Sequence, residues 1–157
     1  MKRFGRDTLD QALTLLGEVL ARRGHPPDHL VVCGGSSLLA LGLISRTATR
    51  DVDVLARLEE RRLVQVKPLA TAIREAAEAV RAELDLPADW FNTDPADDSL
   101  FRLGFPVGIE ERLTHRSYGP ALTIGFVGRY DQIHFKLYAA ADQGPGRHVS
   151  DLRDLAP

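Results

Sequence analysis

Val31-Val32-Cys33-Gly34-Gly35-Ser36-Ser37, a short apolar run, and Arg46-Thr47-Ala48-Thr49-Arg50-Asp51-Val52-Asp53-Val54-Leu55 are the stretch that decides the fold. Its first part reads as a buried strand that turns at Gly34-Gly35 into a helix through Leu43, with Ser36 or Ser37 as the cap. A basic loop follows, then a strand over residues 51–55. Side chains at i and i+2 of a strand point the same way, so Asp51 and Asp53 face together while Val52 and Val54 face the core. Paired carboxylates repel, and a fold that keeps them together has a divalent cation between them or uses one as a proton acceptor. A glycine turn that opens a helix offers free N–H groups and a positive helix end for phosphate. Together they point to metal-assisted phosphoryl chemistry.

Outward from this stretch, periodicity predicts a helix over 7–23, with Asp7 as its cap and Leu9, Leu13, Leu16 and Leu20 on one stripe. Gly24 and Pro26-Pro27 end it, and His25 and His29 read as solvated loop residues. Residues 56–65 read as a solvated connection of mixed charge. A second helix is predicted over 68–84 with Pro68 in its first turn. Residues 88–108 are rich in turn formers and read as irregular, with Trp90 and Phe91 assigned to the core. Residues 113–118 and 121–127 read as a hairpin about Gly119-Pro120. A third helix, 130–141, places Ile133, Leu137 and Ala140 on one face, and a helix over 148–155 capped by Ser150 follows a Gly-Pro-Gly break.

The totals are those of an ordinary globular chain. It has 157 residues, which suits one domain, and is 44% hydrophobic with a net charge of -2. That charge gives no bulk attraction to nucleic acid, so a polynucleotide would need a local basic patch. No apolar run approaches the roughly 20 residues of a membrane span, and no signal peptide is read at the start. The lone Cys33 fits a reducing compartment, so the expected localisation is cytoplasmic, with no membrane partner. Lys2, Lys67 and Lys136 are the lysines in a chain otherwise basic through arginine. That bias singles out Lys136, although a lysine beside Ile133 and Leu137 can also simply snorkel from its helix.

Gly34-Gly35-Ser36, the short helix and Asp51-Val52-Asp53-Val54 resemble the signature of the nucleotidyltransferase superfamily that includes DNA polymerase beta. The stretch 31–55, with Arg46 to Arg50 before the first acid, looks most like the AbiEii-type branch, many of whose members are toxins of toxin–antitoxin pairs. Phe135-Lys136-Leu137-Tyr138 and Asp151-Leu152-Arg153-Asp154 are similar to that branch's closing lysine helix and acid-bearing helix. The resemblance implies an α+β fold, a small mixed sheet flanked by helices. It implies that Asp51 and Asp53 bind Mg²⁺, two ions when NTP is present, and that Gly34, Gly35, Ser36 and Ser37 hold its phosphates. Lys136 would neutralise phosphate charge, and Arg46 and Arg50 would hold phosphate or RNA unless they are surface charges. The implied reaction moves a nucleoside monophosphate from NTP to an acceptor, RNA such as tRNA, and the implied setting includes an antitoxin protein. Many relatives carry a third carboxylate on a later strand. Residues 113–118 and 121–127 contain none; by analogy with the AbiEii-type branch Asp151 would fill that place from the last helix, and otherwise the chain is a catalytically degenerate nucleotide-binding module that works through a protein partner. A chain that ends at Pro157 without an obvious domain end also suggests a further C-terminal helical extension.

Overall fold

The computed structural model describes residues 2–44 and 48–143. Arg46, Asp151 and the helix expected over 148–155 lie outside the described residues. In chain order the elements are β1 (Phe4–Gly5), α1 (Arg6–Arg22), β2 (Asp28–Cys33), α2 (Gly34–Ala40), β3 (Ala48–Thr49), β4 (Val52–Glu59) and β5 (Arg62–Val64). There follow α3 (Thr71–Leu84), β6 (Phe91–Asn92), α4 (Asp98–Leu103), α5 (Ile109–Arg112), β7 (Thr114–Ser117), β8 (Leu122–Phe126) and α6 (Arg129–Gln143). The architecture is α+β. A mixed sheet runs β5-β4-β2-β8-β7, with β6 parallel to the start of β4, and β1 and β3 form a separate antiparallel pair.

Strand β2 is central because Leu30, Val31 and Val32 are fully buried and apolar on both sides, the pattern of a strand covered on both faces. It pairs antiparallel with β4 and parallel with β8. One face packs on Leu9, Leu13, Leu16 and Leu20 of α1 and on Ile73, Ala76 and Val80 of α3. The opposite face carries a smaller cluster of Val31, Cys33, Leu55, Ala56, Leu113 and Val127, covered by Phe101, Phe105 and Phe135. Those three rings meet edge to face, with centroids 5.0 and 6.3 Å apart.

Several expectations are corrected. Asp7 lies in the first turn of α1, where the helix dipole favours an acid, and Gly5 is the cap residue. Helix α2 begins at Gly34 and ends at Ala40, so Ser36 and Ser37 are interior residues, and Cys33 takes the cap position without a side-chain bond. Helix α3 begins at Thr71, which leaves Pro68 outside its first turn. The connection expected over 56–65 is a hairpin: β4 continues to Glu59 and returns as β5. Its two turn residues, Glu60 and Arg61, both have positive φ, 49° and 67°, the backbone of a tight turn whose twist matches the strands. The segment expected to be irregular contains β6 and α4. Trp90 and Phe91 are core residues, as expected. Among the described residues no helix is long and apolar enough to cross a membrane.

Candidate active site

Asp53 stands on β4 directly opposite Cys33, one residue before the Gly34 turn. Gly34 has φ +76°, the left-handed region that glycine enters without strain, and a methyl group on its Cα would lie 2.6 Å from Asp53 Oδ2. The carboxylate therefore rests against bare backbone. A Gly34→Ala replacement is expected to destabilise the fold by about 1–3 kcal/mol through backbone strain alone and to push Asp53 from its place. Thermal melts and nucleotide titration of the variant read the two effects separately.

The turn is held from the far end of the chain. Gln132 on α6 is buried. Its Oε1 accepts from the Gly34 N–H at 2.8 Å, and its Nε2 donates to the Gly34 carbonyl at 3.1 Å and to the Val127 carbonyl at 3.3 Å. One side-chain amide thus satisfies both polar groups of one peptide position. A second anchor lies next to it, where the buried Asp131 accepts three bonds from the Arg112 guanidinium, Nη2 at 2.6 Å among them. Lys136 follows Gln132 by four residues and so shares its face of the helix. Its positive charge acts on both Asp53 and Cys33. Helix α6 therefore returns to the Gly34 turn, with its lysine in electrostatic reach of Asp53.

The charges explain the protonation of the site. Burial pushes the Asp53 carboxyl up from 3.8 to about 6, and the Asp51 charge adds to the rise. A hydrogen bond from the Asn92 side chain opposes it, Asp94 reinforces it, and Lys136 opposes it. Burial and the Asp53 charge raise the Cys33 thiol far above its ordinary value, so it is an inert packing residue at neutral pH. Asp51, just before β4, also has the Arg50 guanidinium 3.7 Å from its Oδ2.

Asn92 and Asp94 were not singled out by sequence reasoning. Strand β6 places Asn92 beside Asp53 in parallel register, and the Asn92 Oδ1 accepts from the Asp94 N–H at 3.0 Å. An Asn two residues ahead of an acid was the available signal, hidden among turn formers. Strand β8 carries no acid, as expected; the further carboxylate whose charge reaches Asp53 comes from the segment after β6.

The structure thus brings Gly34, Asp51, Asp53 and Lys136 together, with Arg50 beside Asp51. Gly35 occupies the first turn of α2. The other expected phosphate ligands are placed differently. The Gly34 N–H is taken by Gln132, Ser36 Oγ donates to the Cys33 carbonyl at 3.4 Å, and Ser37 Oγ donates to the Val127 carbonyl at 2.7 Å. Both serines are buried, so their hydroxyls serve the fold. Among the described residues no group of three or more His, Cys, Asp or Glu side chains is gathered to hold a metal ion. Comparison of the chain with models of protein families, with curated proteins and with solved structures finds no match.

Proposed function

We propose that this chain is a Mg²⁺-dependent nucleotidyltransferase that moves a nucleoside monophosphate from NTP to a hydroxyl acceptor, RNA such as tRNA, with release of pyrophosphate. The observation that carries the reading is the Asp51–Asp53 pair: a carboxylate held partly buried beside a second one, within the field of a lysine from a distant helix, is the arrangement of a site that uses the charge. The residues fit the cation. The two carboxylates are hard oxygen donors, and Mg²⁺ takes few protein ligands and keeps water and phosphate oxygens for the rest. When bound, Mg²⁺ supplies Lewis-acid charge to the triphosphate and acidifies the attacking hydroxyl.

The chain's own residues then have separable tasks. Asp51 and Asp53 would hold the cation at the start of β4. Lys136 is a compact positive charge for the phosphates and helps offset the acids before substrate arrives. Arg50, exposed beside Asp51, offers a guanidinium to phosphate or RNA. Asn92 and Gln132 are positioning residues, one on Asp53 and the other on Gly34. In the reaction the acceptor hydroxyl gives its proton to water, its oxygen forms a bond to the α-phosphorus, the bond from that phosphorus to the α–β bridging oxygen breaks, and pyrophosphate departs with the displaced electron pair. A toxin-like setting with an antitoxin partner belongs to the same proposal and rests on the resemblance alone.

The reading is tested with α-labelled NTPs, Mg²⁺ and total RNA. Label is expected in RNA, in the tRNA fraction first, and is expected to vanish with EDTA. Asp94→Asn is expected to slow labelling less than Asp53→Asn. Nucleotide binding by calorimetry without transfer to RNA, protein or small acceptors would instead make the chain a nucleotide-binding module.

A further inference from the structure

On the sheet face that also bears Val31 and Cys33, at the end away from the acids, His29 of β2 and His115 of β7 meet across β8. His29 Nε2 and His115 Nδ1 share a hydrogen bond at 2.8 Å, its donor set by the tautomer, and the rings stand edge to face with centroids 4.7 Å apart. Register explains the meeting. His29 lies opposite Thr123 and His115 opposite Gly125, so the two imidazoles reach toward each other over a position with no side chain. A Cβ at Gly125 would stand 3.3 Å from the His115 ring, and the glycine keeps that space open. His115 is exposed and His29 partly so.

We propose that His29 and His115 form a surface site for one late first-row divalent cation of square-planar or octahedral preference, Cu²⁺ or Ni²⁺, with water completing its shell. Imidazole nitrogen is a preferred ligand of these ions. The spacing selects among geometries. With metal–nitrogen bonds of about 2.0–2.1 Å, ligands at a right angle are separated by about 2.9 Å and tetrahedral ligands by about 3.3 Å. A bound cation would replace the hydrogen-bonding proton, and with a turn of the rings both lone pairs would aim at one point; the 2.8 Å separation needs less opening for the right angle than for the tetrahedron. Zinc, which favours the tetrahedron, suits the pair less well. Each histidine is on a strand paired to β8, so the ligands are held by the sheet and not by a loop. A bound ion would tie β7 to β2 across their shared neighbour. The site is independent of the nucleotidyl-transfer reading, since it shares no residue with the acid pair.

Calorimetric titration with NiCl₂ tests it, with the Asp53→Asn variant used throughout to weaken binding at the acids. One equivalent is expected to bind, at least about tenfold more weakly after His115→Gln or His29→Gln, the lower bound seen even for outer-sphere partners of a metal. ZnCl₂ is expected to bind more weakly than NiCl₂. His115 lies at an exposed edge, so its variant is expected to retain the parent melting curve, which establishes that it is folded. His25, His134 and His148 remain in both variants and report adventitious binding. Unchanged Ni²⁺ affinity in the His29→Gln/His115→Gln double variant overturns the proposal.

Discussion

Asp53→Asn is expected to lower nucleotidyl transfer by at least about 10²–10³-fold, the loss that follows removal of one preorganised charge-stabilising group, while the metal-free protein becomes more stable above pH 6. The two effects have the same origin. The folded carboxyl titrates at about 6 against an ordinary 3.8. Between those values the folded state keeps a proton that the unfolded chain has lost. Stability is therefore highest at the acid side of that window, falls as pH rises from about 4 to about 6, and stays low above it. The rise corresponds to at most about 3 kcal/mol, and the water that reaches a partly buried carboxylate reduces it further. Asparagine keeps the shape and discards the charge, so the variant should lack this pH dependence. Melts in EDTA at pH 4 and pH 7.5 read the difference. Parallel curves for parent and variant would show that Asp53 is not held against its charge.

Trp90→Ala is expected to destabilise the protein by about 3–5 kcal/mol, the usual result of emptying a tryptophan-sized site. Trp90 is 2% exposed, and its indole Nε1 donates to the Ala77 carbonyl of α3 at 2.9 Å. Its own carbonyl accepts from the Val52 N–H, and so it fastens β6 beside the start of β4. The same residue that closes the core therefore sets Asn92 against Asp53. Trp90→Phe retains most of the packing and loses the hydrogen bond, for about 1 kcal/mol. Urea unfolding with an unchanged slope checks both values. A loss below about 1 kcal/mol for the alanine variant would mean that α3 and β6 are not joined through this side chain.

What could be read from the sequence was whatever local chemistry fixes. The leucine stripe of α1, the β7–β8 hairpin about Gly119-Pro120, the glycine turn before α2 and the alternation at Asp51 and Asp53 all carry their signal within a few residues. The β4–β5 hairpin does not. Its turn residues are Glu60 and Arg61, whose left-handed backbone has none of the glycine or asparagine that marks such turns. Strand β6 is two residues long and owes its existence to parallel pairing with β4, a tertiary fact. Asn92, Asp94 and the Gln132 clamp on Gly34 were hidden for the same reason. So was the histidine pair, whose members lie 86 residues apart. Ser36 and Ser37 fit a cap and a helix interior equally well by residue type. The extended backbone of Cys33, at φ -124° and ψ -169°, puts the cap three residues before Ser36.

Lys136 comes near Asp53 because α6 returns to the Gly34 turn, and that return joins two ends of the chain at one place. Gln132 and Asp131 hold the helix there through bonds that do not involve the acids. Whether the assembled site transfers a nucleotide or another part of NTP is settled by the fate of each phosphorus. Paired incubations with Mg²⁺, RNA and NTP labelled at either the α- or the γ-phosphate make that distinction in one experiment. Nucleotidyl transfer predicts α-label in RNA and γ-label in pyrophosphate, in equal amounts, and neither product with Asp53→Asn. γ-Label in RNA or in free phosphate, or α-labelling that survives Asp53→Asn, would contradict it.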